Sequence, residues 1–195
     1  MKRQLENKNI VILASGNGSN FEAIVNHIRK ESLPINVKFL ITDNPGAFAI
    51  QRAERLGIPY KVIDYKKFEN RSEYNKALDR FLSSIEFDLM VLAGYMKILP
   101  AFIVRKYWRR IVNIHPSLLP SFPGLHAIEK AFNYGVKVTG VTVHFVDEGV
   151  DTGPIIAQEC VKVEEDDTLE TLEEKIHKVE HKIYFEAIKK VLFQL

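Results

Sequence analysis

Short apolar runs rich in valine and isoleucine alternate along this chain with longer segments whose apolar residues recur at helical spacing. That rhythm predicts βαβ units and a mostly parallel sheet, placing the chain in the α/β class. The strand-like runs are Ile10–Ala14, Asn36–Thr42, Tyr60–Asp64, Asp88–Ala93 and Ile111–His115. The unbroken apolarity of Leu89-Met90-Val91-Leu92-Ala93 predicts burial on both faces of the sheet. Helical patterns at Asn20–Lys30, Ala47–Leu56, Ser72–Ile85 and Ala101–Trp108 serve as crossovers, with Gly57 stopping the second and Pro100 opening the fourth. After Gly135 the rhythm changes. Val138–Val146 and Pro154–Val163 follow one another across a glycine-rich loop, which predicts a hairpin and hence a mixed sheet. From Thr168, residues Leu169, Leu172, Ile176, Val179, Ile183, Ala187 and Val191 keep spacings of three and four, giving one long amphipathic helix. Asp167 with Glu170 reads as its capping box. No repeat or linker divides the chain, so residues 1–195 are expected to form one domain.

Composition narrows the function classes. A hydrophobic fraction of 46% and a charged fraction of 27% are ordinary globular values. A net charge of +2 is too mild for nucleic-acid binding, which shows as a concentrated basic stripe, so small-molecule substrates are expected. The single cysteine, Cys160, excludes an intramolecular disulfide framework and reads as a packing residue within a strand rather than a nucleophile. The first apolar run, Ile10–Ala14, is shorter than a signal-peptide core, and no stretch has the length needed to cross a bilayer. A cytoplasmic protein that neither spans nor enters a membrane is the expectation.

Two segments carry candidate chemistry. Ser15-Gly16-Asn17-Gly18-Ser19-Asn20 follows the first strand and opens a helix at once. Glycines let the main chain approach a ligand, and free N–H groups at a helix start favour an anion such as a phosphate monoester. The dinucleotide fingerprint would need a small residue where Phe21 stands, and a P-loop would need a Gly-Lys-Ser/Thr run. Asp43, at the end of the second strand, is therefore discounted as a ribose ligand. A plain strand-to-helix turn is the alternative reading of this loop.

The second segment is Val112-Asn113-Ile114-His115-Pro116. Residues two apart on a strand share a face, so Asn113 and His115 point the same way at a strand's carboxyl end, where open α/β sheets bind ligands. An amide N–H can donate to an oxygen gaining negative charge, and an imidazole can carry protons near neutral pH. That pairing suits acyl-type transfer to an amine. Asp151, between Gly149 and Gly153 in the turn before the last strand, is the candidate carboxylate partner. Taken singly, the three also read as a structural histidine, a strand-end cap and a turn former.

Gly16-Asn17-Gly18-Ser19-Asn20, Asn113-Ile114-His115-Pro116-Ser117-Leu118-Leu119-Pro120 and Asp147 to Gly153 together resemble the folate-dependent phosphoribosylglycinamide formyltransferases of purine synthesis. Ala93-Gly94-Tyr95-Met96-Lys97-Ile98-Leu99, Pro123-Gly124-Leu125-His126 and Val143-His144-Phe145-Val146 extend the likeness in the same order. The resemblance implies a Rossmann-like three-layer sandwich. It implies Asn113, His115 and Asp151 as a catalytic trio, and 10-formyltetrahydrofolate as formyl donor with no metal. It also implies that Gly18, Ser19 and Asn20 hold a substrate phosphate while Glu180 approaches the amine end. Arg71, Met96, Lys97, Ile98 and Leu99, with Asn113, would border the folate, and the Asp147–Asp151 loop would close over its pteridine ring. Asp151 would stabilise the imidazolium of His115 and help relay a proton. A monomer or homodimer is expected. Ile128 departs from relatives that carry a second histidine there.

Competing readings remain at this point. A formyltetrahydrofolate hydrolase would use the same trio on water, and those enzymes carry an N-terminal regulatory domain. Methionyl-tRNA formyltransferases carry a C-terminal domain for tRNA, and no basic tail is seen here. A ligand-binding module without turnover is a third class. His177-Lys178-Val179-Glu180-His181 matches the H-x-x-E-H zinc pattern, which solvated helix faces often produce by chance.

Overall fold

The structure is a computed structural model that describes residues 6–194. Strands β1 (Lys8–Leu13), β2 (Ile35–Thr42), β3 (Tyr60–Val62), β4 (Leu89–Leu92), β5 (Ile111–His115), β6 (Val138–Phe145) and β7 (Ile155–Lys162) form one seven-stranded sheet in the order β3-β2-β1-β4-β5-β6-β7. The first five are parallel, whereas β6 runs antiparallel to β5 and β7 antiparallel to β6. Helices α1 (Ser19–Lys30), α2 (Phe48–Leu56), α3 (Arg71–Ser83), α4 (Ala101–Lys106), α5 (Ala127–Tyr134) and α6 (Leu169–Phe193) complete the domain. The mixed α/β sheet expected from the alternation is thus present.

Side-chain alternation explains the three layers. Along β1, Ile10 and Ile12 join one apolar cluster with α1, α2 and α6, while Val11 and Leu13 join the other with α3 and α4. Both faces are covered, which is why the central strands read as continuous apolar runs. Between β1 and β4 the chain reverses its direction of progress across the sheet. That reversal opens a crevice beyond the strands' carboxyl ends.

Several boundaries differ from expectation, each for a local reason. The β3 pattern stops at Val62, because Asp64 accepts from the Lys66 N–H and starts a 3₁₀ turn at Tyr65–Lys67. α4 ends before Trp108, where the chain passes to a left-handed Arg109 at φ 58°. α5 has no counterpart in the pattern analysis. It spans only eight residues between left-handed His126 and Gly135, too short for a periodicity to emerge. The capping box of α6 belongs to Thr168 and Thr171, whose hydroxyls and backbone N–H groups bond reciprocally. Asp167 instead accepts from Thr171 Oγ1 and Lys175 Nζ. Cys160 is exposed on the edge strand β7 and is not the packing residue expected.

Helix α6 is anchored to the sheet by a polar contact. The fully buried Tyr184 hydroxyl bonds the carbonyls of Leu92 in β4 and Val112 in β5, at 2.8 and 3.1 Å. Tyr184→Phe removes the buried hydroxyl's hydrogen bonds to the two strand carbonyls and should cost about 1 kcal/mol in urea unfolding. A change within experimental error would show that the hydroxyl is not what fastens α6.

Candidate active site

The loop after β1 is shaped by its neighbours. Gly18, left-handed at φ 75°, is the N-cap of α1, and a Cβ there would stand 2.6 Å from the Cβ of Ala49. Only glycine satisfies both the dihedral and the close approach. The N–H groups of Asn17, Gly18, Ser19 and Asn20 donate to no protein group among the described residues. They are free to meet an anion.

Below this loop, α6 presents Glu180, 5% exposed, which accepts from Asn20 Nδ2 at 3.2 Å and from His177 Nδ1 at 2.8 Å. The Glu180 hydrogen bond holds the His177 imidazole above its ordinary pKa, against the opposing effect of burial. His177 lies three residues before Glu180 and shares its helix face, so helical spacing could have joined them. Two members of the zinc-like pattern therefore bond each other, and His181 Nε2 is buried without a partner among the described residues. The Asn20 Oδ1 is likewise buried and unpaired.

Residues Gly94–Leu99, following β4, form the opposite wall. Ser15 N–H donates to the Gly94 carbonyl and Met96 N–H to Ser15 Oγ, at 3.0 and 2.8 Å, so the β1 and β4 loops are tied at the reversal point. Met96 and Ile98 are 64% and 55% exposed, leaving an apolar rim. Asp43 is buried and lies 3.6 Å from Lys97 Nζ, a neighbour the strand-end reading had not supplied. Arg71 is not among the residues lining the cavity. It donates to the Ile98 carbonyl at 2.8 Å, so any influence on that wall passes through the backbone.

The third wall comes from β5 and β6. Antiparallel pairing sets Asn113 directly opposite His144. Cross-strand partners lie on the same face. Asn113 Nδ2 donates to His144 Nε2 at 3.2 Å and to Asp151 Oδ1 at 3.4 Å. His144 Nδ1–H donates to the Phe145 carbonyl at 2.8 Å, which fixes the tautomer leaving Nε2 as acceptor in the neutral ring. His115 Nε2–H donates to the Phe122 carbonyl at 2.8 Å, while Nδ1 faces Asp151 Oδ2 at 3.3 Å. Both ring nitrogens of His115 thus meet acceptors, an arrangement that the imidazolium satisfies completely. Pattern reading passed over His144, although its motif was visible, because its facing partner depends on strand pairing.

Asp151 closes the group. It sits at a left-handed φ of 56° between β6 and β7, and its Oδ2 accepts from the Gly124 N–H at 2.8 Å. Burial alone would raise its pKa. The His144 and Gly124 hydrogen bonds and the charges of the two histidines outweigh that, holding the carboxyl below the ordinary aspartate range.

One cavity of about 550 Å³ joins these walls. Gly18, Ser19, Asn20 and Glu180 line one part, Met96 to Leu99 another, and Asn113, His115 and Asp151 the wall between. The volume suits an organic ligand of metabolite size. Chemically, the arrangement offers an anion cradle beside a carboxylate facing an imidazole and an amide donor.

Residues 8–188 match the formyl transferase family. The chain belongs to that family. It is 48% identical to phosphoribosylglycinamide formyltransferase of Bacillus subtilis over 185 residues, 95% of each chain. It is 42% identical to the trifunctional purine biosynthetic protein adenosine-3 of Gallus gallus over 97% of this chain, a match occupying 19% of that longer protein. The crystal structure of phosphoribosylglycinamide formyltransferase from Bacillus halodurans superposes with a TM-score of 0.91 at 50% identity, covering 96% of each chain. The Rossmann-like architecture is therefore that of formyl transferases. Among the described residues, no helix is long and apolar enough to cross a membrane.

The depressed pKa of Asp151 gives a signed prediction. A carboxylate stabilised in the folded state contributes stability above its unfolded pKa and loses it as pH falls through the folded value. The stability advantage of the wild type over Asp151→Asn should be flat above about pH 5 and shrink below the ordinary value of 3.8. Parallel urea titrations across that range measure it, and an advantage that grows on acidification would contradict the assignment.

Proposed function

We propose that this chain transfers the formyl group of 10-formyltetrahydrofolate to the amine of 5-phosphoribosylglycinamide, giving N-formylglycinamide ribonucleotide and tetrahydrofolate in purine synthesis. The observation carrying this reading is the convergence of Asn113, His115 and Asp151 on one cavity wall, next to a loop of free backbone N–H groups. Gly18, Ser19 and Asn20 receive the phosphate. The orphan Asn20 Oδ1 accepts a donor from the sugar or glycinamide, and Glu180 faces the amine end. Leu92, Met96, Ile98, Leu99, Val146 and Val150 supply an apolar slot that fits a flat pterin, with Asn113 at its inner end.

The chemistry follows from charge development. The neutral glycinamide nitrogen attacks the formyl carbon, a C–N bond forms, and negative charge gathers on the formyl oxygen. Asn113 donates its amide N–H to that oxygen, exchanging a 3.4 Å contact with Asp151 for a shorter, charge-assisted bond. His115 brings positive charge to the same oxygen, and Asp151 balances it. The attacking nitrogen gives up a proton and the departing N10 gains one; Asp151 Oδ1, released when Asn113 turns to the formyl oxygen, passes it between them while His115 stays beside Oδ2. No protein atom becomes formylated.

Absorbance of folate deformylation, followed with and without the glycinamide nucleotide, tests this function. Turnover should require the nucleotide and fall about 10²- to 10⁴-fold in kcat for His115→Ala, and about 10²- to 10³-fold for Asn113→Ala. Equal turnover with buffer alone would make the chain a hydrolase, and none with either would make it a binding protein.

A further inference from the structure

Three consecutive residues of the loop after β1 dock on the sheet-spanning neighbour α2, a helix to which no site role has been given. Ala49 N–H donates to the Gly16 carbonyl at 3.1 Å. Arg52 Nε donates to the Asn17 carbonyl at 2.9 Å, and its terminal nitrogen donates to Asn17 Oδ1 at 2.9 Å. Gly18 packs its missing Cβ against Ala49. The guanidinium is itself fixed. Its second terminal nitrogen pairs with Glu22 of α1, its plane lies 5.0 Å from the centre of the Phe48 ring, and the side chain is only 17% exposed.

A trans peptide unit sends its carbonyl and its N–H in opposite directions. With the Gly16 carbonyl turned to α2, the Asn17 N–H points away from α2. With the Asn17 carbonyl held by Arg52, the Gly18 N–H points away from it as well. The Gly18 carbonyl accepts from the Glu22 N–H of α1 at 3.0 Å, which turns the Ser19 N–H out of the N-terminal end of that helix. These residues line the cavity on the side away from α2. The orientation of three successive donors is thus set by contacts outside the cavity.

We infer that Arg52 is a positioning residue for the substrate's phosphate, holding the Asn17–Gly18 peptide plane so that the Gly18 N–H meets that anion beside the Asn17 N–H that Ala49 orients. This rests on the reading that the loop holds a phosphate monoester. Arg52 touches no reacting atom, so its effect falls on substrate binding rather than on formyl transfer. Positive charge alone does not supply the effect, because a lysine cannot make the two parallel bonds to the Asn17 carbonyl and amide.

Steady-state kinetics of Arg52→Ala and Arg52→Lys with the phosphorylated acceptor and with its dephosphorylated glycinamide riboside test the inference. For both variants KM for the phosphorylated acceptor should rise about ten- to a hundredfold. Saturating kcat and KM for the formyl donor should stay within about twofold, and kcat/KM for the riboside should match the wild type. Full rescue by lysine, or an equal loss for both acceptors, would overturn the positioning role. Should Arg52→Ala fold poorly, Arg52→Lys carries the test alone, and an unchanged KM there would overturn it too. A wild type indifferent to the phosphate would overturn the phosphate reading itself, and that result is visible before any variant is made.

Discussion

The carboxylate of Asp151 is the interaction on which the rest of the site depends. Its side chain is 11% exposed and lies between two histidines, where an unpaired charge would cost several kcal/mol. It is tolerated because donors reach it from separate parts of the chain, the Gly124 N–H from the loop after β5 and Asn113 and His115 from β5, while the His144 ring of β6 lies 3.6 Å away. Asn113, His115 and His144 are themselves placed by strand pairing. The left-handed conformation of Asp151 turns the side chain into this group at a dihedral that non-glycine residues rarely adopt. Loss of the carboxylate would leave the His115 imidazole, the Asn113 amide and the Gly124 N–H without a common acceptor.

The sheet explains why this cluster lies beside an anion cradle. Progress across the sheet reverses between β1 and β4, so the loops after those strands face each other over a crevice. Ser15 and Gly94 tie them together there. The antiparallel turn of the chain into β6 then brings His144 against Asn113 at the crevice wall. Helix α6 covers one face of the sheet and carries Glu180 and His177 to the cradle, with Tyr184 anchoring it at the seam of β4 and β5. The polar wall, the cradle and the helix thus meet around one cavity, with Asp151 of the β6–β7 loop held there by the Gly124 N–H.

Much of this was legible in the sequence because it rests on local periodicity. The five parallel strands and the long final helix showed as apolar runs and three-four spacing. Asn113 and His115 were visible as a same-face pair, and Gly18 as part of a glycine loop whose need for backbone freedom the Ala49 contact explains. What was hidden depends on pairing across the chain. His144 faces Asn113 only because β6 runs antiparallel to β5, which a motif does not state. Arg71, placed at the folate only by the family resemblance, has its guanidinium on the Ile98 backbone carbonyl and does not line the cavity. Helix α5 was too short to show a period, and Cys160 looked buried because a strand pattern does not reveal that its strand is the sheet's edge.

If the Asp151 carboxylate and the His115 ring act as one unit in catalysis, their removal cannot be additive. The direct test is a double-mutant cycle on kcat/KM for formyl transfer, comparing His115→Ala, Asp151→Asn and the double variant. The account predicts that the double variant is little worse than the more damaged single variant. Losses that multiply independently would contradict it, and would mean that the histidine works without the carboxylate beside it.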